Sequence, residues 1–131
     1  MKRTVVRIMV ILLLGSCLNL NAETVQSQHQ TIRMLVTAYC PCTKCCGPQA
    51  CGKTSLGDDA FVEDGVAANP KLLKYRTKLQ IPGVGVREVD DTGGSMRKDG
   101  RRGVYHIDVR FRDHQKALQF GRKWLDVEVL K

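Results

Sequence analysis

Six short runs of strand-forming residues, most of them closed by glycine, proline or a polar turn, leave this chain few ways to fold. Ile32–Tyr39 is rich in residues that suit strands and ends in a cysteine-rich loop. Val66–Ala68 is closed by Asn69-Pro70, and Lys78–Ile81 by Pro82-Gly83, where proline removes a donor and sets the turn. Val84–Val89 alternates and runs into the turn Asp91-Thr92-Gly93-Gly94; Val104–Phe111 reads as a further strand. Asp113 is placed to cap a short helix through Phe120 that stops at Gly121. In Trp124–Leu130 the residues Trp124, Asp126 and Glu128 alternate with Leu125, Val127 and Val129, which puts charge on one face of a last strand. About six short strands with one short helix predict a mostly β fold closed into a small barrel.

The 131 residues hold one such domain, and its 43% apolar and 26% charged composition is that of a folded globule without low-complexity tracts. Residues 1–16 read as a signal peptide: Met1–Arg3 give a positive start, Ile8–Leu14 an apolar run, and Gly15 and Ser16 are small. Arg7 and the shortness of the run exclude a membrane-spanning helix, which needs roughly 20 apolar residues. Leu14-Gly15-Ser16-Cys17 looks like a lipobox, with Cys17 as the acylated residue; cleavage after Ala22 is the ordinary alternative, but it sets bulky Leu20 where a small residue is preferred. A residue such as Leu18 after the anchor points to the outer membrane, on its periplasmic side. Residues 17–31 are polar and read as a tether to a domain spanning 32–131. Without Lys2, Arg3 and Arg7, three of 21 basic residues against 13 acidic, the formal charge falls from +8 to +5. Export argues against nucleic acid as the partner for that moderate basicity; an anionic wall polymer fits it.

Cys40, Cys42, Cys45, Cys46 and Cys51 fall within twelve residues. An exported chain favours disulfides here, two bridges tying down a loop with little apolar material of its own. Closely spaced thiolates can also surround a zinc ion, although no histidine or second CxxC pair lies at the usual finger spacing. Nothing marks a catalytic thiol among the five. The pattern names no cofactor.

Asp108 lies in the apolar run Val104–Phe111, where burial raises a carboxyl pKa and a nearby Asp91 raises it further. Such a carboxyl can protonate a leaving oxygen near neutral pH. The competing reading is an aspartate at a strand edge, paired with Arg110 or Arg112. His106 and His114 are most simply packing or capping residues, and Tyr39 and Trp124, which can stack on sugar rings, are most simply core.

The order of the segments VTAYC, GVAANPKLLKYRTKLQIPGVG, DDTGG, HIDVRF and DHQKALQFGRKWLDVEVL resembles the 3D domain, named for three aspartates. That domain occurs at the C-terminus of membrane-bound lytic transglycosylase A and in stationary-phase survival proteins. The resemblance runs from about Met34 to Leu130 and implies a double-psi β-barrel, a fold shared with family 45 endoglucanases and expansins. It implies Asp108 as the general acid/base and Asp91 as the second signature aspartate, with Gly93, Gly94 and position 69 at the sugar-binding groove. Where the family has A-D-P-K this chain has Ala68-Asn69-Pro70-Lys71; asparagine keeps the shape but cannot transfer a proton. The run Met96–Gly103 is longer and more basic than the family's turn, and reads as a solvated loop or as an arm along a glycan.

The resemblance implies cleavage of peptidoglycan glycan strands in cell-wall turnover, with 1,6-anhydro ends formed by a lytic transglycosylase without metal or other cofactor. A non-catalytic peptidoglycan-binding module on the same barrel is the alternative, since function resides in the site rather than the fold.

Overall fold

The computed structural model describes residues 29–130. The expected signal peptide, the lipidated Cys17 and most of the tether lie outside them. In chain order the elements are β1 (Gln30–Tyr39), α1 (Thr43–Cys46), β2 (Gly65–Ala67), β3 (Lys78–Ile81), β4 (Gly85–Asp91), α2 (Gly94–Gly100), β5 (His106–Arg110), α3 (His114–Phe120) and β6 (Lys123–Leu130). The strands close into a barrel in the order β1-β5-β2-β4-β3-β6, so the mostly β, six-stranded barrel with a short helix is borne out. Two pairs, β1 with β5 and β2 with β4, are parallel and the other four antiparallel. Parallel neighbours cannot be joined by a tight hairpin. Longer connections therefore follow β1 and β2, and the one after β1 walls the candidate site that the strands carry.

Strand alternation fills the interior. Met34 and Val36 of β1, Val66, Leu79, Ile81, Val89, Ile107, Val109 and Val127 are fully buried and form one cluster with Ala68 and Leu73. Each such valine, leucine or isoleucine contributes about 1.5–3 kcal/mol by leaving water. Helix α3 is bounded as the sequence implies: the Asp113 side chain accepts from Lys116 N at 2.9 Å, and Gly121 ends the helix at φ 68°.

Three expectations require correction. The first strand starts before Ile32, because Gln30 and Thr31 already pair with Val129 and Glu128 of β6. The run Met96–Gly103 is not a plain solvated loop: residues 94–100 form α2, whose Met96 is buried. Trp124 is not core, being 48% exposed on the outer face of β6.

Candidate active site

The face of the sheet turned away from the core carries the polar side chains. Thr37 of β1 pairs with Asp108 of β5, Asp108 with Ala67 of β2, and Ala67 with Asp91 of β4. One row of residues thus crosses four strands as Thr37, Asp108, Ala67, Asp91. Next to it Tyr39 pairs with Arg110. The row is completed by a register shift between Val66 and Ala67: Val66 opposes Val89 but Ala67 opposes Asp91, leaving Asp90 as the extra residue of a bulge. That bulge sends Asp90 and Asp91 to different partners.

Asp91 is held by three donors. Tyr39 donates its hydroxyl to Oδ2 at 2.9 Å, and Ser55 N and Thr92 N donate to Oδ1 at 2.9 and 2.8 Å. Burial pushes the Tyr39 hydroxyl far up, so it remains a neutral donor. Asp91 thereby ties the 52–58 loop to the end of β4.

Asp108 has a different environment. Burial pushes its carboxyl above the ordinary aspartate range; the hydrogen bond from Thr37 and the neighbouring His106 pull it down, and Asp91 adds to the rise. Thr37 Oγ1 lies 2.9 Å from both Asp108 Oδ1 and His106 Nε2, and His106 Nδ1 lies 2.8 Å from Asp99 Oδ2 at the end of α2. With Asp99 as an acceptor, two arrangements of protons satisfy the contacts along Asp108-Thr37-His106-Asp99. With Asp108 ionised, Thr37 donates to it and a doubly protonated His106 donates to both Thr37 and Asp99. With Asp108 protonated, Asp108 donates to Thr37, Thr37 donates to Nε2, and neutral His106 donates only to Asp99. The two differ by one proton moved through the Thr37 hydroxyl.

The competing pairing of Asp108 with Arg110 or Arg112 is not what the structure shows. Arg110 is fully buried and grips Asp90, Nη1 donating to Oδ1 at 2.8 Å and Nη2 to Oδ2. Its Nε donates to Val62 O at 2.9 Å, and Nη1 also donates to the Tyr39 hydroxyl at 3.2 Å. The pair lies over Gly65, where any Cβ would collide with both groups.

A groove of about 480 Å³ is lined by Asp91, Asp108, Ala67 and Tyr39 together with Thr92, Gly93 and Gly94, and its far wall is the cysteine loop through Cys45, Cys46 and Cys51. Thr92 Oγ1 is buried there without a partner among the described residues. Asn69 does not line the groove. It is buried, its Oδ1 accepts from Lys71 N at 3.0 Å, and its amide fills the space left by the missing side chain of Gly100. It supports α2, and through it Asp99.

The expected disulfides are absent among the described residues: all five cysteines there are free thiols, and Cys40 and Cys42 approach only to 2.9 Å between Sγ atoms. A disulfide needs about 2.0 Å. Cys40, Cys42 and Cys45 gather around His114 instead. The fold, not the local spacing, supplies this histidine; the Cys42-Thr43-Lys44-Cys45 spacing was the sequence sign of it.

No protein-family model matches the chain, and no curated protein matches it.

Proposed function

We propose that the groove binds peptidoglycan glycan strands and cleaves their glycosidic bonds as a lytic transglycosylase, with Asp108 as the general acid/base. The observation that carries this reading is the half-buried Asp108, whose carboxyl is pushed up at the floor of an open groove beside a second carboxylate. Asp108 gives its proton to the oxygen linking N-acetylmuramic acid to N-acetylglucosamine as that bond breaks. The resulting carboxylate takes the proton of the muramic 6-hydroxyl, whose oxygen bonds to the anomeric carbon. A 1,6-anhydro end forms, no water is consumed, and Asp108 is protonated again. Thr37 and His106 hold the proton inventory of Asp108, Asp91 fixes the loop and adds negative charge, and Gly93 and Gly94 line the groove where a sugar would lie.

The same reading puts the chain in the cell envelope, tethered through Cys17 to the periplasmic side of the outer membrane. A binding module that does not cut is the second reading, favoured by Asn69, an amide in a structural position where the resembled family has an aspartate. Mass spectrometry of peptidoglycan incubated with the protein separates the two. Anhydro-muropeptides that vanish with Asp108→Ala are expected. Glycan retained on the protein without any new ends would sink the enzyme and leave the binder.

A further inference from the structure

β1 and β5 run parallel as neighbours, and one more bond, Phe111 N to Tyr39 O at 2.8 Å, extends the ladder to the point where both strands end. The segments that follow, Cys40 onward and Asp113 onward, therefore emerge side by side. On the first, the carbonyl of Cys42 accepts from Cys45 N and Cys46 N at 3.1 and 2.9 Å. That turn brings Cys42 and Cys45, three residues apart, to one side. On the second, the Asp113 cap fixes the first turn of α3 and so the backbone of His114.

The outcome is a cluster in which Cys40 Sγ, Cys42 Sγ, Cys45 Sγ and His114 Nδ1 all lie within 4.8 Å of one another. His114 Nδ1 stands 3.4 Å from Cys40 Sγ and 3.5 Å from each of the other two sulfurs. Cys40 Sγ is 2.9 Å from Cys42 Sγ and 3.3 Å from Cys45 Sγ. Hydrogen bonding does not account for this, because a ring nitrogen has one lone pair or one proton and cannot serve three thiols. A single disulfide leaves the third thiol and the nitrogen unexplained. A tetrahedral ion explains all four: with Zn–S about 2.3 Å and Zn–N about 2.0–2.1 Å, every sulfur–nitrogen edge is about 3.5 Å. Sulfur–sulfur edges of that tetrahedron are about 3.8 Å, so seating the ion spreads the two closer thiol pairs by about 0.5–0.9 Å.

We propose that Cys40, Cys42, Cys45 and His114 form a structural zinc site that fastens the cysteine loop to the first turn of α3. Three thiolates and one imidazole suit zinc among the common divalent ions, and four protein ligands leave no open position for a bound water, so the site is structural rather than hydrolytic. Cys46 and Cys51 stand outside it: the Cys46 thiol donates to the Cys40 carbonyl at 3.2 Å, and Cys51 is exposed. Since Cys45 also lines the groove, the ion would fix the wall facing Asp91 and Asp108. The site stands whether or not that groove cuts glycan.

The test is elemental analysis of the protein purified under reducing conditions without chelator, followed by replacement with Co²⁺. One zinc per chain is expected, retained through dialysis and by Cys51→Ser, and lost in Cys42→Ser and His114→Ala. The cobalt form should show the visible bands of a tetrahedral thiolate site, and His114→Cys should keep one metal while changing those bands to a four-sulfur pattern. That variant and the wild-type count keep the test decisive if Cys42→Ser does not fold. Folded wild-type protein without stoichiometric zinc and without tetrahedral cobalt bands would overturn the proposal. So would an intact mass showing these cysteines paired in disulfides, or cobalt bands unchanged in both Cys42→Ser and His114→Ala.

Discussion

Asp91 and Asp108 occupy one register row of the barrel, on either side of Ala67. Two strand spacings, about 10 Å, separate their backbones, and the alanine leaves the space between them to the groove. Asp91 is one of the two influences that raise the Asp108 carboxyl. Asp91→Asn removes that charge while its side-chain oxygen still accepts from Ser55 N and Thr92 N, so the Asp108 pKa falls. A general acid must be protonated, so the alkaline limb of the pH–rate profile for glycan cleavage should move to lower pH. A profile unmoved by Asp91→Asn would separate the two carboxylates electrostatically.

Ala67→Val tests the space itself. Valine suits a strand, but its added methyl groups stand between the carboxylates. Binding of glycan fragments should weaken at least tenfold, about 1.4 kcal/mol; because Ala67 is buried the melting temperature should fall as well, so binding is read well below the melt. Calorimetric titration with purified muropeptides reads this directly.

Thr37 is the bridge in the proton chain, and Thr37→Val keeps its shape without the hydroxyl. Losing the donor that favours the ionised form should raise the Asp108 pKa further. It also leaves His106 Nε2 buried without a partner, which costs about 1–3 kcal/mol. Thr37→Ser should restore both. The expected pattern is an alkaline limb shifted to higher pH with a lower plateau in the valine variant and a near-normal profile in the serine variant.

Asp108 also predicts a pH-dependent stability. Its folded pKa lies above the ordinary 3.8, so the folded state holds the proton more tightly than the unfolded one. The Asp108 contribution to stability is therefore fully present below the unfolded value of 3.8 and is lost as pH rises through the window between the unfolded and folded values. Asp108→Asn cannot ionise and still accepts from Thr37. It should melt above the wild type at neutral pH, and the gap should close in acid. Thermal melts at two pH values check this.

The barrel was legible because its signals are local. Alternation in Lys78–Ile81 and Trp124–Leu130, and the Asp113 cap with the Gly121 stop, each act within a few residues. Asp108 was legible as a carboxyl in an apolar strand, and Asp91 as the first residue of the turn Asp91-Thr92-Gly93-Gly94. Their company was not, because it is set by the strand order: Thr37 and His106 reach Asp108 through the parallel β1·β5 ladder, and His114 reaches the cysteines through the same pair. Arg110, expected near Asp108, was claimed by Asp90 because the bulge in β4 gives two consecutive aspartates separate places. Asn69 matched a motif in sequence, yet its side chain serves a turn and the packing of α2.

That Arg110–Asp90 pair gives the last prediction. Arg110 is 0% exposed and Asp90 4%, so the ions are shielded from water and depend on each other. Removing Asp90 leaves the buried Arg110 with the largely exposed Asp64 at 3.2 Å as its remaining carboxylate, and breaking a buried pair costs up to about 3–5 kcal/mol. Asp90→Ala should therefore lower the free energy of unfolding by that amount in urea titrations, and Gly65→Ala should destabilise through the pair without touching either charge, because its Cβ occupies their place. The double variant should lose less than the sum of the two, since once Asp90 is truncated the alanine at 65 has only Arg110 left to displace. Full additivity would mean that Gly65 acts elsewhere. Arg110 also donates to Tyr39, which holds Asp91, so both variants should loosen the groove wall and weaken glycan binding as well as the fold.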